Sequence, residues 1–216
     1  MGERLVGMGI ITNIENTKKK DNRKNIFVDE EYICTLSDFC VFKNKLVVGL
    51  EITEQELQDY QIESDVDLFF PKIVQMQTKS MKTAKQVQEY LKDKGCLFST
   101  IQILMDKLNN YKYVNDEIYA KRYLERYKKT KGKQKIKFEL RQKGIDDCII
   151  DMVLSEVDNQ CDEVWELSVK YMKNKTINYE NTNKLMRYLS GKGFEMEDIR
   201  GVLQRLKQGE KYEDRE

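Results

Sequence analysis

Residues 137–146, KFELRQKGID, form a charged, amphipathic segment that closes on Lys143-Gly144 and resumes at Ile145. The same ending occurs twice more. QEYLKDKGC closes at Gly95 with Cys96 behind it, and MRYLSGKGF closes at Gly193 followed by Phe194. The three glycines stand 49 residues apart, twice over. With each glycine as origin, the position eight before holds Val87, Ile136 or Leu185, and the position four before holds Leu91, Leu140 or Leu189. Six, ten and thirteen residues after come Ile101, Ile150 and Ile199, then Met105, Leu154 and Leu203, then Leu108, Val157 and Leu206. These offsets place one buried stripe on each of two helices.

The glycine is the break between them. A helix commonly ends with a residue in the left-handed conformation, which glycine adopts without a Cβ penalty. In that arrangement the residue after the glycine touches the residue four before it, and the pairs here are Cys96 with Leu91, Ile145 with Leu140, and Phe194 with Leu189. The preceding Lys94, Lys143 and Lys192 sit at the negative end of the helix dipole. A phosphate site would need a helix N-terminus instead. LSGKG at 189–193 has Met186 and Gly193 where a P-loop needs Gly and Ser/Thr, so it is no P-loop.

A further helix precedes each pair. Ala120, Tyr123, Leu124 and Tyr127 follow the i, i+3, i+4, i+7 rule, with Asn115 or Asp116 as N-cap. Trp165, Val169 and Met172 take similar places later, Trp165 as a core residue. Phe70, Ile73 and Val74 do so earlier, with Pro71 in an opening helical turn. Each unit is thus a three-helix module of about 49 residues, stacked in series. The expected architecture is mainly α: three tandem three-helix repeats forming an elongated curved array, at 69–116, 117–160 and 161–208, preceded by a small β-rich unit at 1–68 and followed by a charged tail at 209–216.

In the front unit, MGIITNIE and KNIFVDEEYICTL read as strands joined by the polar loop NTKKKDNRK. Ile10, Thr12 and Ile14 alternate as one strand face should, DEE at 29–31 turns the second run into a third strand, and KLVVGLEIT adds a short segment. TEQE at 53–56 is a capping box that starts a short acidic helix. The basic loop from Lys18 to Lys24 reads as a solvated hairpin tip, with contact to phosphates or an acidic partner as the alternative.

Composition narrows the chemistry. The chain has 216 residues, 40% apolar and 35% charged, with a net charge of +1. It contains no histidine, which excludes imidazole bases and every zinc site that needs one. The five cysteines, Cys34, Cys40, Cys96, Cys148 and Cys161, form no CxxC pair and fit free thiols in a reducing cytoplasm. No run reaches the ~18 apolar residues of a spanning helix. Neither a cofactor nor a metal is expected. Charge is segregated: residues 1–68 carry 8 Lys/Arg and 14 Asp/Glu, residues 117–145 carry 11 and 3, and residues 146–166 carry 8 acids and no base. Such blocks orient a protein on a charged partner.

The middle unit carries more than a generic repeat. YVNDEIYAKRYLERYKKTKGKQKIKFELRQKGID, 113–146, resembles the signature of the RecX family of RecA regulators. That signature appears here as Tyr113, Asn115, Asp116, Glu117 and Ala120, then Gly132, Lys135, Ile136, Glu139, Leu140, Lys143, Gly144 and Ile145. MRYLSGKGFEMEDIRGVL resembles the family's third unit. The family often has Gly-Pro then Arg where this chain has Gly132-Lys133-Gln134. The resemblance covers about residues 69–207, most weakly around Pro71, and the β-rich front looks like the extension of longer members. It implies a cytoplasmic, non-enzymatic modulator of recombination and DNA repair in the SOS response. Such a protein binds RecA and the RecA–DNA filament and usually suppresses strand exchange and the coupled ATPase.

The basic middle unit supplies the candidates for partner binding: Lys121, Arg122, Arg126, Lys128, Lys129, Lys131, Lys133, Lys135, Lys137, Arg141 and Lys143. Arg and Lys at such density bind phosphate oxygens or carboxylates. Tyr119, Tyr123 and Tyr127 lie among them, and Tyr123 and Tyr127 fit the buried stripe. The expected partners are RecA and its DNA filament, with direct DNA contact, a monomeric state and no membrane. Two other readings stay open: a nucleic-acid-binding helical module without RecA preference, and a general protein-interaction scaffold. Asp146, Asp147 and Asp151 are explained by helix N-terminal capping and dipole effects, so catalysis has no foothold in them.

Overall fold

The computed structural model describes residues 8–18 and 22–209. Lys19 and Lys20 of the expected basic loop, and the charged tail from residue 210, lie outside the described residues. The chain divides into two compact units, residues 1–82 with 87–114, and residues 83–86 with 115–216.

The first unit opens with β1 (Met8–Asn16), β2 (Arg23–Val28), β3 (Glu31–Ser37) and β4 (Glu51–Thr53), an antiparallel sheet in the order β3-β2-β1-β4. Asp29 and Glu30 join β2 to β3 with φ of 50° and 71°, the positive values that a two-residue hairpin turn needs to match strand twist. The expected strand face is corrected here. Ile11, not Ile10, is fully buried, while Ile10 is exposed. Ile11 pairs with Val28 and Asn13 with Phe27, so Thr12 is an extra residue. The bulge reverses the alternation and brings Ile14 back onto the core. Thr12 Oγ1 accepts the Glu30 N–H at 2.9 Å, which holds the bulge in place. KLVVGLEIT contributes only β4 as strand, because Lys45 and Gly49 take positive φ and turn the chain.

After the short α1 (Asp38–Lys43), the capping box at Thr53 forms as expected, with the Glu56 N–H on Thr53 Oγ1 and the Thr53 N–H on Glu56 Oε2. The helix it starts is not short. α2 runs from Glu54 to Lys79, 26 residues and about 39 Å. It crosses the boundary expected at residue 68 and carries Pro71 in its interior rather than in a first turn. Burial on two faces explains the continuity, since Leu57 and Ser64 share one side and Ile73 lies roughly 160° round the axis from Leu57. Leu57 packs on the sheet core, Ser64 Oγ accepts the Ser37 N–H at 2.7 Å, and Ile73 is fully buried further along. α2 therefore serves both β3 and α4 (Phe98–Asn110), with α3 (Ala84–Asp93) between in sequence.

The second unit holds two helix trios. α5 (Asp116–Tyr127), α6 (Lys133–Gln142) and α7 (Asp147–Ser155) enclose Ala120, Leu124, Ile136, Leu140, Ile145, Ile150, Val153 and Leu154. α8 (Cys161–Met172), α9 (Tyr179–Gly191) and α10 (Met196–Lys207) enclose Val164, Trp165, Met172, Leu185, Leu189, Phe194, Ile199, Val202 and Leu206. Each fully buried Leu or Ile contributes roughly 1.5–3 kcal/mol relative to exposure.

The three corners match. Gly95, Gly144 and Gly193 have φ of 79°, 81° and 84°. Each donates its N–H to the carbonyl three residues back at 2.9 Å. The next N–H donates to Leu91, Leu140 or Leu189 at 3.1, 3.2 and 3.3 Å. This is the paired closure of helix carbonyls expected from the sequence.

Two corners also receive the start of an earlier helix. Gly132 donates its N–H to the Lys192 carbonyl at 2.9 Å, and Gln134 donates to the Gly193 carbonyl at 3.2 Å. A Cβ on Gly132 would overlap the Gly193 backbone. The equivalent Thr83, 49 residues earlier, donates its hydroxyl to the Lys143 carbonyl at 2.8 Å. The first N–H of α3 and of α6 is capped by a side chain from later in the chain: Ala84 by Asp116 at 2.9 Å, Lys133 by Gln160 at 2.9 Å. α3 also has a local cap, with the Gln86 N–H on Thr83 Oγ1 at 3.3 Å and the Thr83 N–H on Gln86 Oε1 at 3.2 Å. α9 starts with its own cap, Asn178, whose Oδ1 accepts the Asn181 N–H at 2.8 Å.

Candidate functional site

The loop and helix starts that place the basic residues follow from local chemistry. Asn115 caps α5 by accepting the Ile118 N–H at 2.9 Å, which leaves Asp116 free to cap α3. Burial raises the Asp116 carboxyl above its ordinary value, and the Ala84 N–H partly offsets this. α5 then buries Ala120 and Leu124, which turns Arg122 and Arg126 outward, four residues apart. Lys129 follows on the exposed turn after the helix.

The remaining candidates sort into three further groups. One pairs with acids. Lys121 Nζ lies 2.9 Å from Glu117 and 3.5 Å from Glu156, and Lys128 lies 2.9 Å from Glu125. Lys137 pairs with Asp151, and Arg141 grips Asp147 with two nitrogens at 2.5 and 3.2 Å. The Arg141 hydrogen bond holds the Asp147 carboxyl below its usual range. The acidic block therefore folds back on the basic one, and Asp147, Asp151 and Glu156 neutralise part of the expected surface. In an exposed setting such pairs add little to stability, but they do occupy the cations.

A second group lies over aromatic rings. Tyr119, Tyr123 and Tyr127 form a ladder, with ring centroids 6.2 and 4.5 Å apart. Lys131 Nζ sits 4.1 Å from the Tyr127 centroid, and Lys143 Nζ 5.6 Å from that of Tyr123. Glu139 ties the ladder together, accepting the Tyr123 hydroxyl at 2.7 Å and Lys131 at 2.8 and 2.7 Å. Burial pushes the Tyr123 hydroxyl up, reinforced by the Glu139 hydrogen bond and charge. Burial also acts to raise Glu139, but its bonds from Lys131 and Tyr123 outweigh this and leave it lowered.

The last group stands at the corner of the next trio. Lys133 gives its N–H to Gln160, and Lys135 brings its backbone N and its Cβ to where a Cβ on Gly193 would fall. Lys135 Nζ also lies 5.8 Å over the exposed Phe138 ring. Tyr123 and Tyr127, expected on the buried stripe, are partly buried against the core of the trio. Glu139 stood in the family signature without a role, and Gln160 stood in no pattern; their roles depend on partners 16 and 27 residues away. Among the described residues no group of three or more Cys, Asp or Glu is arranged to hold a metal ion. No helix among them is long and apolar enough to cross a membrane.

An antiparallel N-terminal sheet followed by helix trios turned at Lys-Gly corners defines a tandem three-helix repeat protein. A family model described as RecX, second three-helix domain, matches residues 115–154, and one described as Regulatory protein RecX N-terminal domain matches residues 9–53. The regulatory protein RecX of Clostridium tetani is 34% identical over 202 residues, covering 91% of this chain and 94% of its own. That of Clostridium beijerinckii is 32% identical over 205 residues, covering 92% and 96%. The chain belongs to the regulatory protein RecX family. Two crystal structures share the fold. One of regulatory protein RecX has a TM-score of 0.64 at 23% identity, over 91% of this chain and 99% of its own. RecX from Lactobacillus salivarius gives 0.63 at 26%, over 67% and 97%.

Proposed function

We propose that this protein is a non-enzymatic, cytoplasmic regulator that binds RecA and the RecA–DNA filament and inhibits strand exchange and the DNA-dependent ATPase. Membership of the regulatory protein RecX family supports this class of partner. The observation that carries the reading to this chain is the outward face of α5, where Arg122 and Arg126 lie exposed with Lys129 beside them. A cluster of this kind attracts a polyanion strongly and in a salt-dependent way. Bound on the filament, it competes with duplex entry or with monomer addition, and exchange stalls.

Several candidates are engaged in ion pairs. Lys121, Lys128, Lys137 and Arg141 already face carboxylates, so they contribute to a partner only by exchanging one anion for another. Reversal at Arg141 would also release Asp147, which makes it a poor probe. The variant to test is Arg122→Glu with Arg126→Glu, at two exposed positions one turn apart. ATP hydrolysis by RecA on single-stranded DNA should fall on addition of the wild-type protein. The variant should need on the order of tenfold more protein for the same effect, while its helical circular dichroism stays unchanged. Wild-type protein that leaves hydrolysis and strand exchange untouched at filament stoichiometry removes the proposal.

The tyrosine ladder favours a second reading, a nucleic-acid-binding module indifferent to RecA. Bases stack on aromatic rings without regard to sequence, and flanking cations hold the backbone. Equal affinity for bare and RecA-coated DNA would select it.

A further inference from the structure

The basic turn between α5 and α6 is held from outside its own trio. Residues 128–133, KKTKGK, put four lysines into six positions, a sequence that repels itself. Gln160, 1% exposed and placed just before α8, uses both polar atoms of its side chain to hold this turn. Its Nε2 donates to the carbonyls of Lys128 at 3.0 Å and Lys131 at 3.3 Å. Its Oε1 accepts the Lys133 N–H at 2.9 Å. Its own N–H donates to Asp198 Oδ2 at 3.2 Å. Asp198 is itself buried and takes the Cys161 thiol on Oδ1 at 3.2 Å. Burial, then that hydrogen bond, pushes the Cys161 thiol up to about 11, so it remains a protonated donor. On the opposite side the Gly132 N–H is fixed to the Lys192 carbonyl at 2.9 Å.

A fully satisfied buried network fixes one geometry, and its partial loss leaves groups unpaired at a cost. The two trios have apolar cores of their own, so this network is more than either core requires. What it specifies is the path of the lysine-rich turn. We infer that Gln160 is a positioning residue for binding the phosphate backbone of single-stranded nucleic acid. It sets the turn so that Lys129 and Lys133 present their charges as a fixed pair. This rests on the reading of the middle trio as the partner-binding face.

The test compares wild-type protein with Gln160→Met and Gln160→Glu, using a bare fluorescein-labelled single-stranded oligonucleotide. Methionine keeps the volume and loses every side-chain hydrogen bond. Glutamate keeps the acceptor for Lys133 and loses the two donors, so it decides the matter if the methionine variant does not fold. The affinity should fall about three- to tenfold. The slope of log affinity against log salt should become shallower by ~0.7 for each phosphate that is no longer neutralised. Leu206→Ala, a core change in the same trio, should lower stability and leave the slope alone. Hydrogen exchange at Gly132 and Lys133 should quicken in both Gln160 variants. Variants that bind with wild-type affinity and slope overturn the inference, as does a slope change equally present in Leu206→Ala. Wild-type protein with no affinity for the bare oligonucleotide also overturns it. The filament reading would survive that result, because the ATPase assay decides it separately.

Discussion

Gly95, Gly144 and Gly193 share a backbone conformation but not an environment. A residue with a Cβ is strained by the left-handed φ at each of them, at a cost of about 1–2 kcal/mol. At Gly95 the Cβ would enter open space. At Gly144 it would overlap the flexible side chain of Lys85, and at Gly193 the backbone of Lys135. Alanine at the three positions should therefore destabilise in the order Gly95, Gly144, Gly193. The first should cost about the conformational penalty alone, and the last should cost the most because backbone cannot step aside. Urea unfolding of the three variants measures this directly. A uniform cost would mean that the corners act only as helix stops and that the docking at Gly132 is immaterial.

At the scale of elements, local signals were legible and long-range ones were not. The apolar offsets located α3, α4, α6, α7, α9 and α10, and the glycine corners fixed where they turn. The position nine after each glycine, Leu104, Val153 and Val202, proved as buried as the stripe residues beside it, because a helix face is wider than one row. The capping signals at Thr53 and Asn115 were equally readable, since donor and acceptor lie three residues apart. What escaped were features set by distant partners. The bulge at Thr12 depends on Glu30, the continuity of α2 through Pro71 depends on the sheet and α4, and the neutralised lysines depend on α7. Two substitutions test the elements themselves. Pro71 is exposed and deprives α2 of one backbone hydrogen bond, so Pro71→Ala should raise the urea midpoint, by up to about 3 kcal/mol in stability. Asn178→Ala should lower stability by about 1 kcal/mol through loss of the α9 cap. A neutral Asn178→Ala would mean that the turn before α9 supplies the cap by other means.

At the scale of the whole molecule, the two units have separate cores and separate reporters. Trp165 is buried in the third trio, with Arg205 stacked 4.4 Å from its ring. Cys34 and Cys40 are buried in the sheet unit, and burial pushes both thiols up to about 11. Tryptophan fluorescence and thiol reactivity during urea unfolding should give midpoints that do not coincide, because two cores need not melt together. Coincident curves would show that α3, whose first turn belongs to one unit and whose remainder belongs to the other, couples them into a single transition. Either result bears on regulation, since a partner that grips only the second unit stabilises only what melts with it.

The caps of α3 and α6 have a temporal side. Ala84 waits for Asp116, 32 residues downstream, Thr83 for Lys143, 60 downstream, and Lys133 for Gln160, 27 downstream. The local caps wait for nothing, since Thr83 precedes α3 and Asn178 precedes α9. A chain leaving the ribosome thus exposes the lysine-rich turn before the groups that tame it have been synthesised. During that interval the growing polypeptide carries an unshaped cationic tether next to the most abundant polyanion in the neighbourhood, ribosomal RNA.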